Sequence, residues 1–180
     1  TGHITTAQIT PDPRDYPGAL PEMITAGSLV FAPKPHVNNL EDWSQWWTFM
    51  KGADWRHPYG PGTNINLLGN HPVVHVSFAD AQAYAKWAGK DLPTEAEWEF
   101  AARGGLDCEE FAWGNTLAPG GQHMANTWQG NFPNQNLGED GYERTSPVTA
   151  FAPNGYGIHD MIGNVWEWTA DWWSAKHEAD

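Results

Sequence analysis

The chain has 180 residues, and its 22 Asp and Glu outnumber its 9 Lys and Arg, giving a formal net charge of −13 at pH 7. Such an acidic surface argues against binding to nucleic acid or to an anionic membrane, since both carry the same sign of charge. No apolar run approaches the ~20 residues that a membrane-spanning helix needs, and the length predicts one domain over residues 1–180. The single cysteine, Cys108, excludes an internal disulfide and favours a reducing compartment.

Short regular elements are predicted first in the N-terminal half. Residues 28–33 (SLVFAP) predict a strand. Trp43, Trp46 and Trp47 have the spacing of one helical face, which predicts a short helix that packs on the core. Residues 71–78 (HPVVHVSF) alternate valine with polar side chains and predict a second strand.

Two capped helices follow. Ser77 is a suitable N-cap for the first, and Gly89 is a suitable stop. The second begins at Thr94, which forms a T-x-x-E capping box with Glu97, and it ends at Gly104. The sequence therefore predicts helices over roughly 78–88 and 95–103.

The C-terminal half has frequent turn signals and few strand candidates, such as residues 146–151 (SPVTAF). Two helices followed by irregular chain predict an α+β domain that is low in regular secondary structure. The 12 Trp, 19 Gly and 14 Pro agree with this prediction, because Gly and Pro interrupt regular elements and aromatic rings then supply much of the buried area.

A first candidate metal loop spans residues 125–143. Asn126 and Asp140 offer hard oxygen atoms, and Gly138 and Gly141 let the backbone turn so that its carbonyls can point inward. The spacing is not that of an EF-hand. Ordinary turns use the same residue types, so the pattern leaves both a calcium loop and a simple turn open.

A second candidate loop spans residues 159–168 (HDMIGNVWEW), where Asp160, Asn164 and Glu167 fall close together. Glu167 lies between Trp166 and Trp168. Either both rings face the core of an alternating strand while Glu167 faces solvent, or the carboxylate is drawn inward and a divalent cation neutralises it. In the second case the tryptophans would pack around a dry, cross-linked loop.

Other catalytic patterns are absent from the sequence. The eight histidines show no spacing suited to chelation, and there is no G-x-S-x-G, no Gly-rich phosphate loop and no plausible Cys–His pair.

Four long motifs carry a family likeness: residues 46–62 (WWTFMKGADWRHPYGPG), 71–105 (HPVVHVSFADAQAYAKWAGKDLPTEAEWEFAARGG), 138–148 (GEDGYERTSPV) and 153–173 (PNGYGIHDMIGNVWEWTADWW). They resemble the formylglycine-generating enzymes, or sulfatase-modifying factors, and the likeness runs from about Thr1 to Trp173. It implies a fold that is low in regular structure and related to C-type lectin-like folds.

The resemblance also implies an activity. Members oxidise the cysteine of a sulfatase C-x-P-x-R motif to Cα-formylglycine, using molecular oxygen and a Cu(I) ion held by two cysteines. The expected partner is an unfolded sulfatase segment or a C-x-P-x-R peptide, and the expected state is a monomer. Ala85 and Ala102 stand where secretory-pathway members have disulfide cysteines, so the likeness implies a bacterial, cytoplasmic protein.

Matched position by position, the resemblance implies two structural calcium ions. The first site would be Asn126, Thr127, Asp140 and Tyr142, with Thr127 and Tyr142 ligating through their carbonyls. The second would be Asp160, Gly163, Val165 and Glu167, with Gly163 and Val165 ligating through their carbonyls. Part of the substrate-groove wall would be Trp46, Trp47, Trp55, Arg56 and His57, although core packing explains tryptophans equally well.

The chain also departs from the family pattern. The family's copper-binding cysteine pair lies C-terminal to the motif at 163–173 and is expected beyond Asp180, while the family's opening segment precedes Thr1. Cys108 lies in a loop where the family has no catalytic cysteine, so no catalytic residue is assigned within this chain. We expect the 180-residue chain alone to have no turnover, because one cysteine cannot supply a thiolate pair for soft Cu(I).

Two alternative functions remain from the sequence. One is a non-catalytic, calcium-stabilised protein-binding module of the same fold. The other is a relative of the iron-dependent sulfoxide synthases, which take histidine ligands partly from a separate helical domain. No such domain is visible in the sequence, and residues 55–62 (WRHPYGPG) argue against this alternative.

Overall fold

The computed structural model describes residues 2–174 of the chain. Its regular elements are strands β1 (Gly27–Phe31) and β2 (Trp47–Lys51) and helices α1 (Phe78–Trp87) and α2 (Glu95–Arg103). Single turns of 3-10 helix occur at Thr6–Gln8, Pro13–Asp15, Pro21–Met23, Trp43–Gln45 and Pro119–Gly121. The prediction of few regular elements is confirmed; the predicted domain also includes Thr1 and residues 175–180, which lie outside the described residues.

The two strands form one antiparallel ribbon, in which Gly27 pairs with Lys51 and Phe31 pairs with Trp47. The predicted strand at 28–33 is therefore confirmed. The predicted tryptophan helix is wrong, since only Trp43–Gln45 forms a helical turn and the chain then enters β2 at Trp47.

An aromatic cluster packs beside the ribbon and explains the spacing of the tryptophans. Its members are Phe31, Trp46, Trp47, Trp128 and Phe132, with neighbouring ring centroids 5.2–6.0 Å apart. Most of the pairs meet edge to face, the geometry that the ring quadrupoles favour. Trp46 is buried there against Phe132, so its regular spacing reflects core packing across a turn and a strand.

Both α-helices begin at the predicted N-caps. The Ser77 hydroxyl accepts the Asp80 N–H, and the Thr94 hydroxyl accepts the Glu97 N–H; in each helix the acidic side chain accepts the N–H of the cap residue in return. Helix α2 ends at Gly104, whose φ is 58° and where a Cβ would lie 2.7 Å from the Asn154 side chain. Only glycine satisfies both the left-handed backbone and the close approach.

Residues 71–78 are not a strand, so this prediction is wrong. His75 has a φ of 58°, which interrupts an extended chain. Its ring holds the bend in place, because Nδ1 lies 2.8 Å from Ser28 Oγ and Nε2 donates to the Pro58 carbonyl at 2.8 Å. Residues 146–151 are not a strand either, since Thr149 has a φ of 71°.

Asp80 anchors the N-terminal segment to the start of α1. Its carboxylate accepts hydrogen bonds from His3 Nε2 at 2.9 Å, from the Thr6 N–H at 3.1 Å and from the Ser77 N–H at 2.9 Å. Burial raises the pKa of Asp80, but the hydrogen bonds from Ser77, His3 and Thr6 outweigh burial and lower the pKa to about 2. This carboxylate is therefore a charged, fully hydrogen-bonded group inside the fold.

Candidate metal centre

The first predicted calcium loop closes around the carboxylate of Asp140. Oδ2 accepts the Thr127 N–H and the side-chain amide of Gln129, each at 2.9 Å, and Oδ1 accepts the Tyr142 N–H at 2.9 Å. Three of the four predicted ligand residues, Thr127, Asp140 and Tyr142, are thus brought together. The fourth, Asn126, is next to Thr127 in the chain and donates its Nδ2 to the Arg144 carbonyl at 2.8 Å.

Gln129 is a residue of this loop that no sequence pattern singles out. It is buried, and its Nε2 donates both to the Thr127 carbonyl and to Asp140 Oδ2. These two oxygens are acceptors of the kind that a hard cation uses. The predicted ligands are oxygens of the type that calcium binds, but the contacts at Asp140 are made by the N–H groups of Thr127 and Tyr142 and by the Gln129 amide.

A cavity of about 330 Å³ opens beside the first loop. Asp140, His123, Glu139 and Phe151 are among its lining residues. His123 Nε2 lies 3.6 Å from Glu139 Oε2, so the wall of the cavity carries an ionisable pair next to the loop carboxylate.

In the second predicted loop, each acidic ligand is held by a different part of the chain. Asp160 Oδ2 accepts the Thr149 N–H at 2.7 Å, and Glu167 Oε2 accepts the Trp98 indole N–H at 2.7 Å. The Gly163 carbonyl accepts the Val165 N–H at 2.9 Å.

Several oxygens of this loop remain available to a cation. Among residues 2–174, Asp160 Oδ1, Glu167 Oε1 and the Val165 carbonyl accept no hydrogen bond. Two carboxylates and two carbonyls are a hard-oxygen set, so the ligand chemistry predicted for this loop suits calcium.

A cleft of about 570 Å³ lies between the start of α2 and residues 161–173. Trp98 of α2 lines one wall, and Gly163, Val165 and Glu167 line the other. Three of the four residues predicted for the second calcium site therefore face this cleft.

The tryptophans around Glu167 are largely exposed. Trp166, Trp172 and Trp173 have exposed fractions of 97%, 96% and 83%. Trp168 is half exposed; its ring packs on Phe78 and its indole N–H donates to the Val76 carbonyl at 3.1 Å. The expectation that Trp166 faces the core, or packs around a dry loop, is therefore wrong.

The tryptophan-rich segment, residues 163–173, is held by two hydrogen bonds to α2 and by a third to the residue before its N-cap. Besides the bond from Trp98 to Glu167, the Ala170 N–H donates to the Pro93 carbonyl at 2.7 Å, and Asp171 Oδ1 accepts the Glu95 N–H at 2.8 Å. An anionic side chain at a helix N-terminus is favourable, because the first N–H groups have no partner within the helix.

The residues predicted for a substrate groove fall into two places. Trp46 and Trp47 belong to the aromatic cluster described above, and Trp46 is buried there. Trp55, Arg56 and His57 share one turn, in which the Arg56 guanidinium lies 3.9 Å from the Trp55 ring centroid.

Asp54 closes that turn. Its Oδ1 accepts His57 Nδ1 at 3.0 Å and the Arg56 N–H at 2.8 Å. Burial raises the pKa of Asp54, but the backbone hydrogen bonds from His57 and Arg56 outweigh burial and lower the pKa. Arg56 remains exposed on this turn, and its role in a groove stays a prediction.

Copper does not fit the described residues. Over residues 2–174 no group of three or more His, Cys, Asp or Glu is placed to hold a metal ion. Cys108 is exposed, and its thiol lies 3.5 Å from Asp107 Oδ1. Soft Cu(I) prefers thiolate or thioether ligands, so one surface thiol beside a carboxylate is not a copper site.

The copper-binding cysteine pair is expected beyond Asp180. Asp180 itself lies outside the described residues, which end at residue 174. The expectation of a cysteine pair beyond Asp180 therefore stays a prediction, and no catalytic residue is assigned among the residues described.

Comparison with known proteins identifies the family. A family model described as "Sulfatase-modifying factor enzyme 1-like domain" matches residues 4–179. This chain belongs to that family. The sequence-based prediction of a sulfatase-modifying factor is thereby confirmed.

The relatives include proteins named formylglycine-generating enzyme and proteins named inactive. The formylglycine-generating enzyme of Mus musculus is 51% identical over 180 residues, which are 100% of this chain and 46% of the relative. The inactive Cα-formylglycine-generating enzyme 2 of Bos taurus is 53% identical over 134 residues, which are 74% of this chain and 44% of the relative. The chain thus spans about half the length of the curated relatives it matches.

A solved structure, PvdO from Pseudomonas aeruginosa, is 32% identical with a TM-score of 0.42, and the match covers 58% of this chain and 40% of that one. The relation of the sulfatase-modifying factor family to C-type lectin-like folds stays a prediction. No helix in the described part of the chain is both long enough and apolar enough to cross a membrane.

Proposed function

We propose that this chain belongs to an enzyme that oxidises the cysteine of a sulfatase C-x-P-x-R motif to Cα-formylglycine, with molecular oxygen as the oxidant. The observation that carries the proposal is the family match across residues 4–179. The high identity to the mouse formylglycine-generating enzyme over the whole chain supports it.

The substrate in this proposal is an unfolded sulfatase segment or a C-x-P-x-R peptide, bound by a monomeric, cytoplasmic, bacterial protein. The net charge of −13 favours the approach of a peptide that carries an arginine. The turn of Trp55, Arg56 and His57 is the part of the predicted groove wall that is not buried in the aromatic cluster, and it supports peptide contact there.

Two calcium ions hold the loops of this enzyme together. Asn126, Thr127, Asp140 and Tyr142 would bind the first ion, and Asp160, Gly163, Val165 and Glu167 would bind the second. The all-oxygen chemistry of both loops supports this assignment. Each ion would add stability to the folded state, because the ligands are assembled only there.

The redox step is assigned to no residue of this chain. Its one cysteine cannot provide the thiolate pair expected for Cu(I). The 180-residue chain by itself therefore forms no formylglycine, even with copper and a C-x-P-x-R peptide.

A non-catalytic binding module is the alternative function. The bovine relative that is named inactive is 53% identical to this chain over 134 residues, so a protein named inactive can keep much of this sequence, and this observation admits the alternative. In that case the calcium loops and peptide contact are kept while the oxidation is not.

A chimera separates the two functions. This chain replaces the matched region of the mouse enzyme, and the product is assayed by mass spectrometry of a C-x-P-x-R peptide. We expect formylglycine; a folded chimera that binds the peptide without oxidising it contradicts the enzyme and supports the binding module. Arg56→Ala in the chimera should raise KM with little change in kcat, whereas Arg14→Ala, which changes an exposed arginine outside that turn, should change neither.

A further inference from the structure

The two predicted calcium loops contact each other directly. The Asn164 N–H, one residue after the second-loop ligand Gly163, donates to the carbonyl of the first-loop ligand Asn126 at 2.9 Å. Gly163 has a φ of 77°, and a Cβ on it would lie 2.3 Å from that same carbonyl oxygen. A residue with a side chain cannot approach so closely, so the glycine brings a ligand residue of each site into contact.

The side chain of Asn164 extends this contact. Its Oδ1 accepts the Ser146 N–H at 2.9 Å and Asn126 Nδ2 at 3.4 Å, and its Nδ2 donates to the Ser146 carbonyl at 3.2 Å. Ser146 is fully buried. Asn164 has a φ of 64°, a region that asparagine tolerates better than most residues. Its Oδ1 therefore bridges the buried backbone of Ser146 and the first loop, and its Nδ2 adds a second bond to Ser146.

Residues 140–149 join the two loops a second time. The segment begins with Asp140, the carboxylate of the first loop. It ends with Thr149, whose N–H donates to Asp160 Oδ2 of the second loop at 2.7 Å. Ser146, the partner of Asn164, lies between them. The ligands of both sites are thus fixed to one hydrogen-bonded frame.

We propose that the two calcium sites are energetically coupled and that Asn164 is the positioning residue of this coupling. The inference rests on the calcium sites of the proposed function. An ion that orders one loop also fixes the frame of the other, so the second ion has less conformational freedom to remove. Filling either site raises the affinity of the other on the order of tenfold, by the same factor in both directions.

Calorimetric titration of the 180-residue chain with calcium alone tests the coupling. Asp140→Asn removes the first site and Glu167→Gln removes the second, so each variant reports the affinity of the remaining site. In each variant we expect the remaining site to bind calcium about tenfold more weakly than the same site does in the wild type, where the other site is filled. Two ions that bind independently overturn the coupling but leave the calcium sites of the proposed function standing.

Asn164→Gly tests the positioning residue. Glycine keeps the left-handed backbone and the N–H to Asn126, and it removes only the side-chain bridge. We expect two bound ions whose coupling factor falls below that of the wild type, with the remainder carried by the backbone bond to Asn126 and by residues 140–149. Asn66→Gly, at an exposed loop position, keeps the wild-type factor.

Undiminished coupling in Asn164→Gly overturns the role of Asn164. If that variant fails to fold, the equality of the two factors from Asp140→Asn and Glu167→Gln still decides the coupling. A folded chain that binds no calcium overturns the coupling and the calcium assignment together, while the peptide assay of the chimera tests the oxidation separately.

Discussion

Replacing Asp80 with asparagine measures how strongly one buried carboxylate holds the N-terminal segment on α1. The side chain is 5% exposed. Its Oδ1 accepts hydrogen bonds from His3 and Thr6, and its Oδ2 accepts them from Thr6 and Ser77. Asparagine would keep one of these oxygens and turn an NH2 group towards donors at the other. The substitution therefore removes a charge and leaves buried N–H groups facing another donor.

The magnitude follows from the pKa of Asp80, which falls from 3.8 to about 2 in the folded chain. At 1.36 kcal/mol per unit, the shift contributes about 2 kcal/mol to the free energy of unfolding. Because the folded-state pKa is the lower one, this contribution is present above about pH 4 and is lost as the pH falls towards about 2. At pH 7 a loss of about 2 kcal/mol corresponds to a Tm lower by roughly 4–8 °C.

Urea unfolding followed by tryptophan fluorescence provides the assay. The free energies of wild type and Asp80→Asn should differ at pH 7, and the difference should shrink below about pH 4 as the pH is lowered towards about 2. Asp15→Asn is the control, since Asp15 is exposed and its carboxylate accepts no hydrogen bond within residues 2–174. Equal stability of the Asp80 variant and the wild type at pH 7, or a difference that does not shrink in acid, would refute the reasoning.

Three further predictions concern a cap, a glycine and the ions. Thr94→Ala removes the hydroxyl that accepts the Glu97 N–H, so urea unfolding should show a loss of about 1 kcal/mol; an unchanged midpoint would mean that the cap is dispensable. Gly163→Ala and Gly157→Ala start from nearly equal φ values, 77° and 76°, but only the first places a Cβ against the Asn126 carbonyl. Both should lose about 1 kcal/mol to backbone strain, and Gly163→Ala should lose clearly more; equal losses would show that the close contact relaxes. Chelation of calcium should lower the Tm, because an ion at one hundred times its Kd adds about 2.7 kcal/mol per site; identical melting curves with and without chelator would count against both sites.

The helices could be predicted because their signals are local. Ser77 and Thr94 lie within four residues of the groups they cap, and Gly104 directly follows the last turn of α2. The prediction of a tryptophan helix was wrong because the contacts that place these tryptophans are not local. The partner that buries Trp46 is Phe132, far away in the chain, so the spacing of Trp46 from its neighbours carried no information about local backbone.

In the candidate site, too, local features could be predicted from the sequence and long-range contacts could not. Carboxylates and glycines marked both loops, because such residues are needed wherever backbone and side-chain oxygens converge. The role of Gln129 depends on a fold that places its amide against Asp140. The bridge from Asn164 to Ser146 and Asn126 likewise joins segments that no periodicity relates.

Because the tryptophan-rich segment is attached to α2, the helical signal of α2 can report whether that segment is displaced. Asp171 accepts an N–H of the first helical turn from 76 residues away, and Glu167 is held by Trp98 of the same helix. A molecule that enters the cleft and lifts this segment must also remove the acceptor of the Glu95 N–H. Because regular structure is scarce, any fraying of the first turn of α2 would be a visible fraction of the far-ultraviolet circular dichroism. A molecule that binds without lifting the segment would instead change the fluorescence of the exposed tryptophans and leave the helical signal unchanged.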